Sequence, residues 1–129
     1  MLNINLTEMK PFIIQIFCQK REICSLLKKK LRADGYYVEC INVAEAETDF
    51  LDGFNKHIDC IILDKDIDIQ MRDMIRSRFA GVPIVCLPSL DAETIDSKDV
   101  TYISEPLKMS ELSEIINEIR IKKEVETDS

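Results

Sequence analysis

A chain of 129 residues, 46% hydrophobic and 32% charged, is long enough to bury one proper core and too short for two. Its net charge of −7 argues against a general nucleic-acid binder, which needs a clustered basic surface, and no apolar run approaches the length of a membrane span. The lysines at Lys28, Lys29 and Lys30 do cluster, but Glu22 and Asp34 flank them, so they read as a solvated helix face.

The first ten residues, "MLNINLTEMK", lack the basic start and apolar centre of a signal peptide. We expect a flexible leader over 1–10 and a cytoplasmic protein. The next stretch, "PFIIQIFC" (11–18), is a run of β-branched and aromatic residues consistent with a buried strand. "REICSLLKKKLRADG" (21–35) spaces Ile23, Leu26, Leu27 and Leu31 as a helix does, and Gly35 marks its end. "YYVECINV" (36–43) predicts a strand. "AEAETDFLDGFNKH" (44–57) puts Phe50, Leu51 and Phe54 on one face of an expected helix.

"DCIILD" (59–64) predicts a further buried strand, ending on Asp64. "IDIQMRDMIRSRF" (67–79) predicts a helix with Ile67, Met71, Met74 and Ile75 on one face. "GVPIVCLP" (81–88) and the shorter "VTYISEP" (100–106) predict strands. "SLDAETIDSKD" (89–99) between them is polar and acidic, so the helix due there is expected to be short or missing. "SELSEIINEIRIKK" (110–123) predicts a last helix capped by Ser110, and 124–129 a flexible tail.

Short apolar runs alternating with amphipathic ones build an α/β domain over 11–123, with a five-stranded parallel sheet and helices on both faces. Function in such sheets sits at the carboxyl ends of the strands, which groups Cys18, Gln19, Asp64, Pro88, Ser89, Ser104 and Glu105. The five cysteines are odd in number, no CxxC pair occurs, and His57 is the single histidine. Reduced thiols are expected, with no disulfide and no zinc site. Asp66 and Asp68 follow Asp64 on one loop with no second ligand source opposite, which favours a solvated acidic loop over a metal site.

The order and spacing of "LLKKKLRADGYYVECINVAEAETDFLDGFNKHIDCIILD", "VPIVCLPS" and "TYISEPL" resemble a response-regulator receiver domain, the flavodoxin/CheY-like fold, from about Pro11 to Lys122. The resemblance implies a site in which an acidic pair holds Mg²⁺, an aspartate takes the phosphoryl group, and a hydroxyl and a lysine bind its oxygens. Asp64 matches the acceptor. The acidic pair falls on Cys18 and Gln19, the hydroxyl on Pro88, and the lysine on Glu105 before Pro106. A carboxylate is a poor nucleophile toward phosphate unless cations neutralise the charge, so ordinary phosphoryl transfer is expected to be lost.

With its chemistry gone and "HIDCIILD" especially alike, the chain is most similar to the pseudo-receiver domains of cyanobacterial circadian clock proteins, the KaiA amino-terminal type. That resemblance implies a non-enzymatic interaction module in a two-component or clock pathway, with no cofactor or metal. Its partner would be a protein, a histidine kinase or a clock protein, and neither nucleic acid nor membrane. Tyr102 lies where receivers carry their switch aromatic, and Tyr102, Glu105 and Pro106 form the expected partner surface. Two alternatives stand beside this: an atypical single-domain regulator phosphorylated on Asp64, and a small-ligand binder at the carboxyl-end crevice, which no glycine-rich phosphate loop supports.

Overall fold

A computed structural model describes residues 11–47, 49–54, 56–64, 66–87, 100–102 and 109–128, the side chains of 100–102, 109 and 125–128 excepted. The strands are β1 (Ile13–Cys18), β2 (Tyr37–Asn42), β3 (Cys60–Leu63), β4 (Ile84–Cys86) and β5 (Val100–Tyr102). The helices are α1 (Arg21–Ala33), α2 (Ile69–Arg78) and α3 (Met109–Asp128). All strand pairs are parallel, and the five strands lie in the order β2-β1-β3-β4-β5.

Each face of the sheet carries its own core. Alternate residues of β1, Ile14, Ile16 and Cys18, join Cys60, Ile62 and Val85 beneath Leu27 and Leu31 of α1 and Leu112 and Ile116 of α3. On the other face Phe17, Ile61, Leu63 and Ile84 meet Ile75 of α2 and the chain at Leu51 and Ile58. This two-sided burial explains why the strands read as continuous apolar runs rather than alternating ones. Each fully buried Ile, Leu or Phe contributes about 1.5–3 kcal/mol relative to exposure.

Helix ends follow local chemistry. After α1, Gly35 takes a φ of +95° and lets the Tyr36 N–H fold back on the Leu31 carbonyl at 3.1 Å. Asp68 caps α2 by accepting the Met71 N–H at 2.8 Å.

The structure corrects the expectation of a helix over 44–57. Its described residues form successive turns, with Phe50, Asp52 and Phe54 each donating to the carbonyl three residues back. Asp49, Asp52 and Gly53 are weak helix formers, and the turns carry Phe50 and Phe54 to within 6.1 and 6.3 Å of the Phe17 ring. Helical spacing of three apolar residues was satisfied here without a helix. The last helix differs at both ends: it starts at Met109, which places Ser110 inside the first turn rather than at the cap, and it continues to Asp128 through the expected tail. The short or missing helix over 89–99 lies outside the described residues.

Two aspartates flank β3, and each receives backbone N–H groups from one end of β1. At the amino end, Asp59 Oδ2 accepts the Ile13 N–H at 2.8 Å. At the carboxyl end, Asp64 Oδ2 accepts the N–H groups of Gln19 and Lys20 at 2.9 and 3.3 Å.

Candidate functional site

The carboxyl ends of β1 and β3 bring Cys18, Gln19 and Asp64 together, as the strand order requires, since β1 and β3 are neighbours. Asp64 is 1% exposed. Its own N–H donates to the Phe17 carbonyl at 3.0 Å, which fixes its backbone at the end of the ladder. Its Oδ2 then holds the two N–H groups that precede α1. A carboxylate on backbone donors at a helix start is a charge-assisted bond placed against the positive end of the helix dipole. The carboxylate thus acts within the protein as an anchor for the β1–α1 loop. Asp64 Oδ1 is buried and has no partner among the described residues.

The acidic residues after Asp64 are each occupied. Asp66 pairs with Lys20 at 3.3 Å, and Asp68 is the α2 cap. The donor set does not suit Mg²⁺. Among the described residues Cys18 and Gln19 present no anionic oxygen, and of the Asp64 carboxylate Oδ1 alone has no partner, where that ion needs several hard ligands. Among the described residues no group of three His, Cys, Asp or Glu could hold a metal ion. Pro88, Ser89, Ser104, Glu105 and Pro106 lie outside the described residues, and of Tyr102 the backbone alone is described, as the last residue of β5.

The expectation of free thiols throughout is overturned. Cys18 and Cys24 form a disulfide across a Cα–Cα distance of 6.0 Å. Comparing strand with strand hid this pair, because the partner of Cys18 is in the helix that follows it. The chain turns through Gln19 and Lys20 and doubles back, so the first turn of α1 lies over the end of β1 and Cys24 meets Cys18. A cysteine ending a strand, with a second six residues on in the next helix, is the signal that could have shown it. Cys40, Cys60 and Cys86 are free. Burial pushes the Cys60 thiol up to about 12, and raises Cys40 and Cys86 as well.

A second polar cluster, missed in the sequence, sits at the opposite, amino end of the central strands. Asp59, 5% exposed, accepts from Ile13 through Oδ2, while Oδ1 meets His57 Nε2 at 2.8 Å and the Lys123 ammonium. Lys123 belongs to α3, so this buried carboxylate ties the last helix to the sheet. Ser113 ties the last helix to the end of α1 as well, donating to Asp34 Oδ2 at 3.1 Å. No described helix is long and apolar enough to cross a membrane.

Solved structures share this architecture. A CheY-like response regulator receiver domain protein from Methanospirillum hungatei JF-1 superposes with a TM-score of 0.68 at 18% identity, covering 91% of this chain and 99% of that one. A receiver domain protein from Bacillus halodurans C-125 gives 0.68 at 18% identity, over 85% of this chain and 97% of that one. The receiver domain of the hybrid histidine kinase CckA gives 0.62 at 22% identity, over 83% and 97%. These likenesses show a CheY-like α/β fold. No curated protein matches the chain. The family model for the N-terminal domain of the circadian clock protein KaiA matches residues 12–122, nearly the whole domain, and the chain therefore belongs to the family of KaiA N-terminal, receiver-like domains.

Proposed function

We propose that this domain is a non-catalytic pseudo-receiver, a signalling module that works by contact with a protein partner rather than by carrying a phosphoryl group. The observation that carries this is the state of Asp64. Its carboxylate is buried and committed to the Gln19 and Lys20 N–H groups, and the strand end beside it offers Cys18 in place of a metal-binding acid. A phosphoryl group on Asp64 would add charge where Asp66 already stands, with no Mg²⁺ to offset it. In the order of motifs Glu105 takes the position where receivers carry lysine, so the sequence supplies no cation there. Family membership supports a clock protein as the partner class, and Tyr102, Glu105 and Pro106 are the proposed contact surface.

The test is incubation with acetyl phosphate, or with beryllofluoride and millimolar Mg²⁺. The expected outcome is no phosphate mass gain and no change in the amide NMR spectrum. A mass gain of one phosphate that disappears in Asp64→Asn would overturn the proposal in favour of an atypical phosphorylated receiver.

A further inference from the structure

We propose that Cys18 and Cys24 are a reversible thiol–disulfide site, whose substrate is a dithiol or disulfide redox partner, and whose state sets the rigidity of the β1–α1 loop. The pair lies at the carboxyl end of β1, beside Asp64. It stands independently of the phosphate proposal, because a phosphorylatable Asp64 would leave the thiol titration unchanged.

Reduction at this corner does not require the domain to unfold. The residues closing the bridge are separated by only six positions, so opening it releases little chain entropy to the unfolded state. Both cysteines belong to the core between β1 and α1, where a reduced thiol serves as a small apolar side chain. Access comes through Cys24, the more exposed of the two at 8% against 0% for Cys18. Cys24 lies in the first turn of α1, where the helical hydrogen bonding is thin. Its N-cap residue Lys20 makes no side-chain cap bond, and the Cys24 N–H reaches the Lys20 carbonyl at a long 3.4 Å. Local opening of a helix start is a low-energy motion.

The exchange step balances. A thiolate of the reducing partner attacks Cys24 Sγ, the Cys18–Cys24 bond breaks, and Cys18 leaves as a thiolate that takes a proton from water. The partner's second thiolate then attacks its own sulfur in the mixed disulfide and releases Cys24, which is protonated in turn. Two electrons pass to this chain, and the partner's two thiols become a disulfide. Oxidation is the reverse, driven by a disulfide-bearing partner.

A third cysteine is near. Cys40 Sγ lies 3.6 Å from the Cys24 carbonyl oxygen. Burial raises its pKa, which lowers its thiolate fraction and so its reactivity toward the pair. The readout is equally local. Gln19 and Lys20, the two residues directly after Cys18, are those whose N–H groups Asp64 holds. With the bridge closed the loop is fixed from both sides; with it open, Asp64 alone fastens it.

The experiment is equilibration of the folded protein in graded mixtures of reduced and oxidised dithiothreitol, with intact mass, peptide mapping of alkylated thiols, and amide hydrogen exchange. The expected result is a single reversible transition mapped to Cys18 and Cys24, with exchange at the Gln19 and Lys20 amides about tenfold faster in the reduced form. Cys24→Ala should show the faster exchange in every mixture. Three results would each overturn the proposal: a bridge that resists reduction until the domain unfolds, a pair that stays reduced in the most oxidising mixture, or loop exchange that does not respond to the transition. The redox series on the parent protein decides the matter even if the variant folds poorly.

Discussion

Asp64 Oδ2 stands 2.9 Å from the Gln19 N–H, so the side chain that matches a phosphoryl acceptor is holding its own protein's backbone. Removing it should therefore cost stability rather than activity. Asp64→Ala is expected to lower the unfolding free energy by about 2–3 kcal/mol, because two N–H groups lose a charged acceptor. Asp64→Asn keeps one acceptor oxygen and should lose about half as much. Urea unfolding monitored by circular dichroism measures both, and an unchanged midpoint in Asp64→Ala would contradict the anchoring role.

At the amino end of β3, Asp59 should matter for the last helix. Asp59→Ala is expected to destabilise the domain by about 2–3 kcal/mol, since the Ile13 N–H loses its carboxylate acceptor and the Lys123 ammonium loses one ion-pair partner. Lys123→Ala should cost less, about 1 kcal/mol, because that ammonium is partly solvated. Hydrogen exchange along α3 should rise in both variants, and more in Asp59→Ala.

Phe17 is the hub of the aromatic cluster, fully buried, with Phe50, Phe54 and Phe79 around it. Phe17→Ala should cost about 3–5 kcal/mol. Near-ultraviolet circular dichroism should lose intensity in that variant as the rings lose their fixed packing. A loss below about 1 kcal/mol would mean that the turns at 49–54 do not pack on the sheet as described.

Alkaline solution should weaken the fold through its buried thiols. Cys60 has a folded pKa of about 12 against an ordinary 9.0, raised by burial. The folded state therefore keeps its proton where the unfolded chain has lost it. The stabilising contribution is whole below pH 9.0 and is lost as pH rises toward about 12. Each pH unit in that window removes about 1.4 kcal/mol through this group. Cys40 and Cys86 are shifted in the same direction. Unfolding midpoints measured across the window should fall, and Cys60→Ala should flatten the decline.

The strands and the helices α1 and α2 were legible because their signals are local. Buried β-branched runs, a 3.6-residue apolar period and Gly35 act within a few residues of chain. The turns at 49–54 were not, because Phe50 and Phe54 answer to Phe17 across the sheet, and a local period cannot report a distant ring. Asp64 was found through the motif order, but its anchoring role needed the fold, since Gln19 lies 45 residues away in sequence. Cys24 and Asp59 were missed for the same reason: each is ordinary in its own segment and significant only opposite a residue from another element.

The pair of aspartates flanking β3 has a consequence for how the sheet is assembled. Apolar runs such as β1 and β3 carry little information about alignment, because sliding one past the other by two residues keeps every side chain on its original face. Asp59 and Asp64 remove that ambiguity. The first reaches Ile13 and the second reaches Gln19, so the two carboxylates act like stops at either end of a rail. Any misaligned docking of β1 would part Asp64 from the N–H groups it holds and Asp59 from the Ile13 N–H, a penalty that opposes the few contacts a slipped pairing would keep. A chain whose strands are nearly interchangeable grease thus folds to one alignment because of two acids that the grease surrounds.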